Sequence, residues 1–256
     1  MDVPKPSKSN EKQNNEIITF SVAIPIDVTD DSIAISTEKS SQLSKQEIIN
    51  LAFKYHGRGN TQEAKRYYQQ FVKEGYVDAV VFSNYGVILK DLGDLKAAES
   101  LTRKAIELKP DFGNAYCCLG NILRDLGKID EAEMSIRKSI ELQPSEFSGF
   151  YNLGNICSQL GKTGEAETLM RKAIKLNPSY AMAHISLGNI LSHLGQFEEA
   201  EISTRKALKL QPDLLLANYN LGIILKKLNK LEEAEKFTRK AIDLESSSAD
   251  AYAHLG

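Results

Sequence analysis

The sequence predicts an all-α protein, a solenoid of antiparallel helix pairs, and two observations carry this prediction. From Lys45 onward a set of residues recurs every 34 positions, and within each period the apolar residues follow the spacing of two amphipathic helices. A single helix pair cannot bury its apolar face alone, so successive pairs must stack. The recurring residues include Gly86, Gly120, Gly154, Gly188 and Gly222, and Pro110, Pro144, Pro178 and Pro212.

The period divides the chain into a leader, residues 1–44, and a repeat region, residues 45–256. Within the repeat region, six complete units start at Lys45, Ala79, Gly113, Phe147, Ala181 and Leu215. A seventh, truncated unit is predicted to start at Ala249. The first unit is degenerate, which suits an end unit that has no neighbour on its outer side.

The second unit shows how each unit is built. Leu95, Ala98 and Thr102 belong to the apolar stripe of its second helix, and Gly93 lies in the turn before that helix. Glycine can take the left-handed conformation that ends a helix, and Asn229, the next most tolerant residue type, replaces it in the sixth unit. Proline then ends the second helix. The stripe of the first helix consists of Phe82, Tyr85, Gly86, Leu89 and Leu92.

The leader contains two different segments. Residues 1–16 are mostly polar with almost nothing to bury, so we expect disorder there. Residues 17–35 alternate apolar and polar residues, which is typical of a strand, a short hairpin or an extended arm lying on the first helices. An unstructured leader with chance alternation is the alternative. Pro25 would restrict any strand here to an edge. The leader carries seven acids and four lysines, a net charge of −3.

Composition excludes several classes of protein. The net charge of −2 provides no basic field for nucleic acid or an anionic membrane surface, and no apolar run is long enough to span a bilayer. The N-terminus has no apolar stretch behind a basic one, so a secretory signal is not predicted. Three cysteines without metal-ligand spacing indicate reduced, buried thiols, and we expect a cytoplasmic protein that has no metal or other cofactor.

One set of residues recurs in every unit with only mild departures. In the third unit this signature stands as Tyr116, Leu119, Gly120, Leu123, Ala132, Ile136, Ser139 and Pro144. With it the repeated unit resembles the tetratricopeptide repeat, and its units are similar to those in the repeat region of the O-linked N-acetylglucosamine transferase. The resemblance covers residues 45–256 and implies a right-handed superhelix whose first helices line a concave groove. The family usually binds a peptide or protein in that groove.

Candidate binding residues lie on the first helices, off the packing stripe. Asparagine is frequent there, and its amide can both donate to and accept from the backbone of an extended peptide. Alternatively, these asparagines form hydrogen bonds between repeats. The candidate groove residues are Asn84, Asn121, Asn152, Asn155, Asn189 and Asn220, together with Tyr151, Ile185 and Tyr219.

Two other features of the repeats bear on function. Chaperone co-factors of this family hold a carboxylate with cations on successive first helices, but the fifth position of each unit carries no cation here, so we do not expect that clamp. The second helices carry regular Glu–Arg pairs at i, i+4, which predict a solvated, stabilising face or, alternatively, a second docking surface. The five pairs are Glu99–Arg103, Glu133–Arg137, Glu167–Arg171, Glu201–Arg205 and Glu235–Arg239.

These patterns predict a protein–protein interaction scaffold that is not an enzyme. The chain has no phosphate-binding loop, nucleophile elbow or paired-histidine metal motif, and His184 takes an aromatic core position. Apolar groove residues such as Ile185, Ile223 and Val87 argue against an RNA-reading repeat. The alternative is the N-terminal substrate-recognition region of a larger glycosyl- or sulfotransferase, because the sequence stops midway through a predicted first helix.

Overall fold

The computed structural model describes residues 43–253, and side-chain environments within residues 43–245. Between residues 43 and 253 every regular element is an α-helix, so the predicted all-α class is confirmed. The helices are α1 (Lys45–Gly57), α2 (Thr61–Lys73), α3 (Ala79–Asp91), α4 (Leu95–Leu108), α5 (Gly113–Asp125), α6 (Ile129–Leu142), α7 (Phe147–Gln159), α8 (Thr163–Leu176), α9 (Ala181–His193), α10 (Phe197–Leu210), α11 (Leu215–Lys227) and α12 (Leu231–Ala253). The predictions for residues 1–16 and 17–35 lie outside the described residues.

The helices stack in chain order as consecutive pairs. The two helices of each unit contact each other, and each second helix also contacts the first helix of the next unit. From α3 to α11, first helices also contact the first helices of adjacent units, whereas no comparable backbone contact joins neighbouring second helices within residues 43–253. The first helices therefore lie on the shorter, inner side of the stack, which is a solenoid of helical repeats.

The turn between the two helices of a unit follows the prediction. Gly93 has φ 82° and Asn229 has φ 59°, so both take the left-handed conformation. The next residue closes the turn, because the Asp94 amide donates to the carbonyl oxygen of Leu89 at 2.9 Å. This arrangement satisfies carbonyl groups at the end of the first helix that would otherwise lack a partner.

The recurring glycine in the middle of each first helix allows close helix packing. A Cβ atom at Gly188 would lie 2.3 Å from the Thr204 hydroxyl oxygen and 3.3 Å from the Ala200 carbonyl oxygen on the paired helix. That hydroxyl donates to the Ala200 carbonyl at 2.8 Å, so the contact is held in place. Glycine in a helix interior costs about 1 kcal/mol relative to alanine, and the close approach explains why it recurs.

The two ends of the described stack differ from the inner units. At the start, Ser44 and Glu47 form a capping box on α1, and the aromatic side chains of Tyr68 and Phe71 fill the core of the first unit. At the other end, α12 continues to Ala253 and does not break before residue 249, where the sequence predicted a new unit. Ser246 stands at the position where the inner units have proline, so the residue that ends the other second helices is missing.

Candidate functional site

The candidate site is the inner face formed by the first helices. Its walls are side chains at the second, fifth, sixth, ninth, twelfth and thirteenth positions of each unit, which the helical period turns away from the paired second helix. Contacts between successive first helices bring these positions side by side. We call this surface the groove.

Most of the predicted groove residues are buried. Tyr151, Asn121 and Asn152 are each 0% exposed, and Tyr219 at the other extreme is 50% exposed. Exposure therefore rises along the groove, because residues of α3, α5 and α7 are enclosed and those of α11 are open. The remaining candidates divide in the same way, with Asn84, Asn155 and Ile185 buried and Asn189 and Asn220 half-buried.

One asparagine takes part in a contact between repeats. The Asn152 side-chain amide on α7 donates to the Cys117 sulfur on α5 at 3.3 Å, and both residues are buried. Asn152 therefore forms a hydrogen bond between repeats, which is the alternative role that the sequence offered for these asparagines. Its amide oxygen, the Asn155 amide nitrogen and the Tyr151 hydroxyl are buried without a hydrogen-bond partner. Buried polar groups of this kind are rare and costly, because each loses its hydration.

The α11 end of the groove combines open apolar and polar groups. Tyr219 is 50% exposed and Ile223 is 43% exposed. Asn220 lies half-buried beside them, and the exposed Lys226 and Lys227 follow one turn later. Aromatic and aliphatic side chains beside an amide are the surface type that anchors peptide side chains and holds a peptide backbone.

Two cations lie in the enclosed part of the groove. The side chains of Lys90 and Arg124, at the twelfth positions of α3 and α5, are only 9% and 8% exposed. Each forms an ion pair with the residue that follows it, Lys90 with Asp91 at 2.9 Å and Arg124 with Asp125 at 3.1 Å. Lysine has three donors and arginine has five, so one carboxylate leaves donors available to an anion.

The second helices carry a ladder of ion pairs that joins neighbouring units. Glu133 accepts from Arg137 on its own helix at 2.7 Å and from Lys162 of the next unit at 2.8 Å, and Arg137 also reaches Glu165 at 2.6 Å. The predicted i, i+4 pairs are present, but the sequence analysis missed the links between units. Their signal was the recurrence of Lys128, Lys162 and Lys230, and of Glu131, Glu165, Glu199 and Glu233, at fixed unit positions.

The ladder shifts the titration of its acids. Hydrogen bonds from Lys162 and then Arg137 lower the pKa of Glu133. The hydrogen bond from Lys128 has the same effect on the pKa of Glu99. These carboxylates therefore remain charged at neutral pH, and the face they form is one of paired charges.

The cluster of Cys157 with Glu133 and Glu165 is not arranged to bind a metal ion, and the free cysteines are not arranged to act as nucleophiles. Cys157 lies within 4.8 Å of carboxylate oxygens of Glu133 and Glu165, but Arg137 and Lys162 already neutralise those oxygens. The cysteines Cys117, Cys118 and Cys157 are free and buried. Burial raises the pKa of Cys118 to about 12 and that of Cys157 to about 11, so these thiols are protonated and poor nucleophiles at neutral pH.

A cavity of about 480 Å³ lies outside the groove, among α8, α9 and α10. His184, Ser203 and Arg171 contribute to its wall. His184 contacts the Pro178 carbonyl oxygen at 3.0 Å, and the Ser203 hydroxyl donates to the His184 carbonyl oxygen at 2.9 Å. These bonds tie His184 into packing between units, as its core position in the sequence predicted.

Family models of the tetratricopeptide repeat match most of the repeat region. One matches residues 101–134 and 169–202, and another matches residues 79–112, 147–180 and 216–248. No curated protein sequence matches the chain. None of the helices among the described residues has the length and apolar character needed to cross a membrane.

Solved structures show the same fold. PilF of Pseudomonas aeruginosa has a TM-score of 0.68 at 17% identity and covers 79% of this chain and 97% of its own. MamA (residue 41 to its end) from Desulfovibrio magneticus RS-1 has a TM-score of 0.59 at 20% identity, covering 66% and 96%. YrrB, described as a protein of this repeat type with an unusual peptide-binding site, has a TM-score of 0.56 at 24% identity, covering 70% and 92%.

Proposed function

Because this chain belongs to the tetratricopeptide-repeat family, we propose that it is a non-enzymatic, cytoplasmic scaffold that binds an extended peptide or protein segment in the groove of its first helices. The observation that carries the proposal is the open α11 end of the groove. There Tyr219 and Ile223 expose apolar surface beside the half-buried Asn220. YrrB, which shares the fold, has a peptide-binding site of its own.

The ligand chemistry follows from the residues at this end. Tyr219 and Ile223 favour a ligand with apolar side chains, because burying such surfaces gains about 25 cal/mol per Å². Asn189 can hold the ligand's backbone whatever its side chains are, and Asn220 contributes its amide oxygen as an acceptor, since its amide nitrogen is buried. Lys226 and Lys227 favour an acidic residue at one end of the ligand. Nucleic acid, membrane lipid and the carboxylate of a chaperone are not the proposed ligands.

The enclosed asparagines Asn84, Asn121, Asn152 and Asn155 extend the same row along α3, α5 and α7. They are buried in the free protein, so a ligand contacts them only when the groove opens. We therefore propose that binding begins at the α11 end, where the first contacts need no rearrangement.

The test is a selection from a random peptide library against the full chain, followed by affinity measurements on variants. Tyr219→Ala should weaken binding by about tenfold or more, since buried aromatic anchors dominate peptide affinity. Asn189→Ala with Asn220→Ala should cost about 0.5 to 1.5 kcal/mol per lost hydrogen bond.

The control is Ile202→Ala on α10, which removes an apolar side chain from the second-helix face that is 69% exposed, more than the 50% of Tyr219. It should leave affinity unchanged. Peptides whose binding depends on Ile202 and not on Tyr219 would place the ligand on the second helices and refute the groove proposal.

A further inference from the structure

The groove is closed along α3, α5 and α7 and open at α11, the last first helix among the described residues. At the fifth position of the units, Cys117 is 4% exposed and Tyr151 is 0% exposed, whereas Tyr219 is 50% exposed. At the ninth position, Asn121 is 0% exposed and Ile223 is 43% exposed. Residues in the same register have the same orientation on their helices, so their exposure differs because of what lies against them in each unit.

The side chains in the closed stretch of the groove indicate which kind of ligand would fit there. Lys90 and Arg124 are about nine-tenths buried with donors to spare, which favours an acidic group opposite them. The Asn152 amide oxygen, the Asn155 amide nitrogen and the Tyr151 hydroxyl lack partners. An extended backbone presents N–H and C=O groups in alternation, so it can satisfy both donors and acceptors in such a row.

The leader contains a segment with matching properties. Residues 16–35 hold four acids, Glu16, Asp27, Asp30 and Asp31, and no lysine or arginine. Ile18, Phe20, Val22, Ile24, Ile26 and Val28 alternate with mostly smaller or polar residues, which places them on one side of an extended chain. The segment therefore combines negative charge, an apolar side and an extended period.

The segment can reach the closed stretch from its own chain. Residues 36–44 form a tether of nine residues that spans up to about 30 Å. Neighbouring first helices in contact lie about 8–10 Å apart, so α7 is about 30 Å from α1. Residues 16–35, when extended, cover about 65 Å, enough to run along the three helices.

We propose that residues 16–35 bind in cis along the groove of α3, α5 and α7, as a built-in ligand that an external peptide must displace. The inference rests on the proposed function, because both use the same groove. The apolar side of the segment packs on the first helices, and its acids approach Lys90 and Arg124. Its backbone forms hydrogen bonds with the side chains of Tyr151, Asn152 and Asn155. Binding of an external partner is thereby regulated by competition within the chain.

The first experiment measures amide hydrogen exchange by mass spectrometry on the full chain. Residues 17–35 should exchange at least about tenfold more slowly than residues 1–15 in the same molecule. Phe20→Asp with Ile24→Asp should abolish the protection, because both side chains lie on the apolar side. The control, Thr19→Asp with Ser21→Asp, adds the same charges to the opposite side and should retain it. Equal exchange of the two segments in the unaltered chain overturns the proposal.

The second experiment titrates a fluorescent synthetic peptide of residues 16–35 into the full chain. The Phe20/Ile24 variant should bind it at least about tenfold more tightly than the unaltered chain, since a tethered competitor acts at an effective concentration near the millimolar range. In that variant, Arg124→Glu should weaken binding, and the matched Lys226→Glu on the open α11 end should weaken it less. Equal affinity of the unaltered chain and the Phe20/Ile24 variant overturns the proposal.

Two outcomes separate this inference from its premise. If library peptides bind through Tyr219 while residues 17–35 are unprotected, the groove function stands and the built-in ligand is refuted. If residues 17–35 are protected but no external peptide binds any variant, the built-in ligand stands and the proposed function fails. Protection that appears only at concentrations giving a dimer in light scattering refutes binding in cis, because the groove is then filled by a second copy.

Discussion

The first and second helices of each unit repeat with the same period but differ in what they bury. In α3, α5 and α7, nine of thirteen residues are buried, whereas only three of fourteen are buried in α4, α6 and α8. The first helices α3, α5 and α7 bury neutral polar side chains as well as apolar ones, and α3 and α5 each also enclose a cation. The second helices bury a single stripe and turn a ladder of ion pairs outward. The same kind of substitution should therefore have different consequences on the two helices.

The largest expected difference comes from one substitution made on both helices. Gly188→Ala places a Cβ 2.3 Å from the Thr204 hydroxyl and should destabilise the chain by about 1 to 3 kcal/mol. Gly164→Ala on α8 meets nothing within 4 Å and should stabilise it by about 0.5 to 1 kcal/mol, because alanine is the better helix former. Urea unfolding monitored by circular dichroism measures both. If both variants changed the free energy of unfolding in the same direction, the close contact between Gly188 and Thr204 would be shown to adjust without a loss of stability.

A smaller loss is expected for the buried amide contact between units. Asn152→Ala removes the hydrogen bond to the Cys117 sulfur and should cost about 0.5 to 1.5 kcal/mol. Asn220→Ala, at the same position in the sixth unit and half-buried, should change stability by less than half of that. Thermal unfolding of the two variants side by side is the measurement. An equal loss in both would mean that the asparagine stabilises its own helix and not the contact between units.

As pH falls, the stability contributed by the partly buried histidines should be lost before the stability contributed by the ion-pair ladder. Burial lowers the pKa of His56 and of His184, so the unfolded chain takes up protons more readily than the folded one below about pH 6.5. The stability that these groups contribute is complete above that pH and is lost as pH falls. The contribution of Glu99 and Glu133, whose pKa values are lowered by Lys128 and Lys162, is present above about pH 4.3 and is lost only below it.

Urea midpoints at pH 7.5 and 5.5 separate the two groups of residues. His184→Tyr, which restores the aromatic residue of the repeat, should reduce the fall in midpoint between these pH values. An unchanged pH dependence in His184→Tyr would assign the fall to His56 or to residues elsewhere in the chain.

The smallest effects are expected on the second-helix face. Arg137→Ala removes ion pairs with Glu133 and Glu165, and it should cost about 0.2 to 1 kcal/mol, because exposed pairs gain little against water. Arg239→Ala removes only the pair with Glu235 among the residues up to 245 and should cost less. The difference between the two variants should shrink in 1 M NaCl, where charges are screened within about 3 Å. A salt-independent difference would indicate that Arg137 acts through packing of its aliphatic stem.

Much of the fold could be predicted because its determinants are local and repeat. Gly93 and Asn229 indicated left-handed turns, and both have positive φ. Gly188 indicated close helix packing, and Thr204 lies against it. The sequence analysis predicted a break between units near residue 249, but α12 continues to Ala253. Ser246 stands where the inner units have proline, and this absence of proline could have predicted the longer helix.

The sequence by itself determined the helices, their pairing and the register that turns certain positions toward the groove, because a helix period and a turn residue act over a few neighbouring residues. Only the tertiary structure decided which of those positions are accessible. Tyr151 and Tyr219 are the same residue at the same position of the repeat, yet one is 0% and the other 50% exposed. The Tyr151 ring packs against that of Tyr180, with ring centroids 5.1 Å apart, and such a contact depends on how the helices are placed in space rather than on the repeat register.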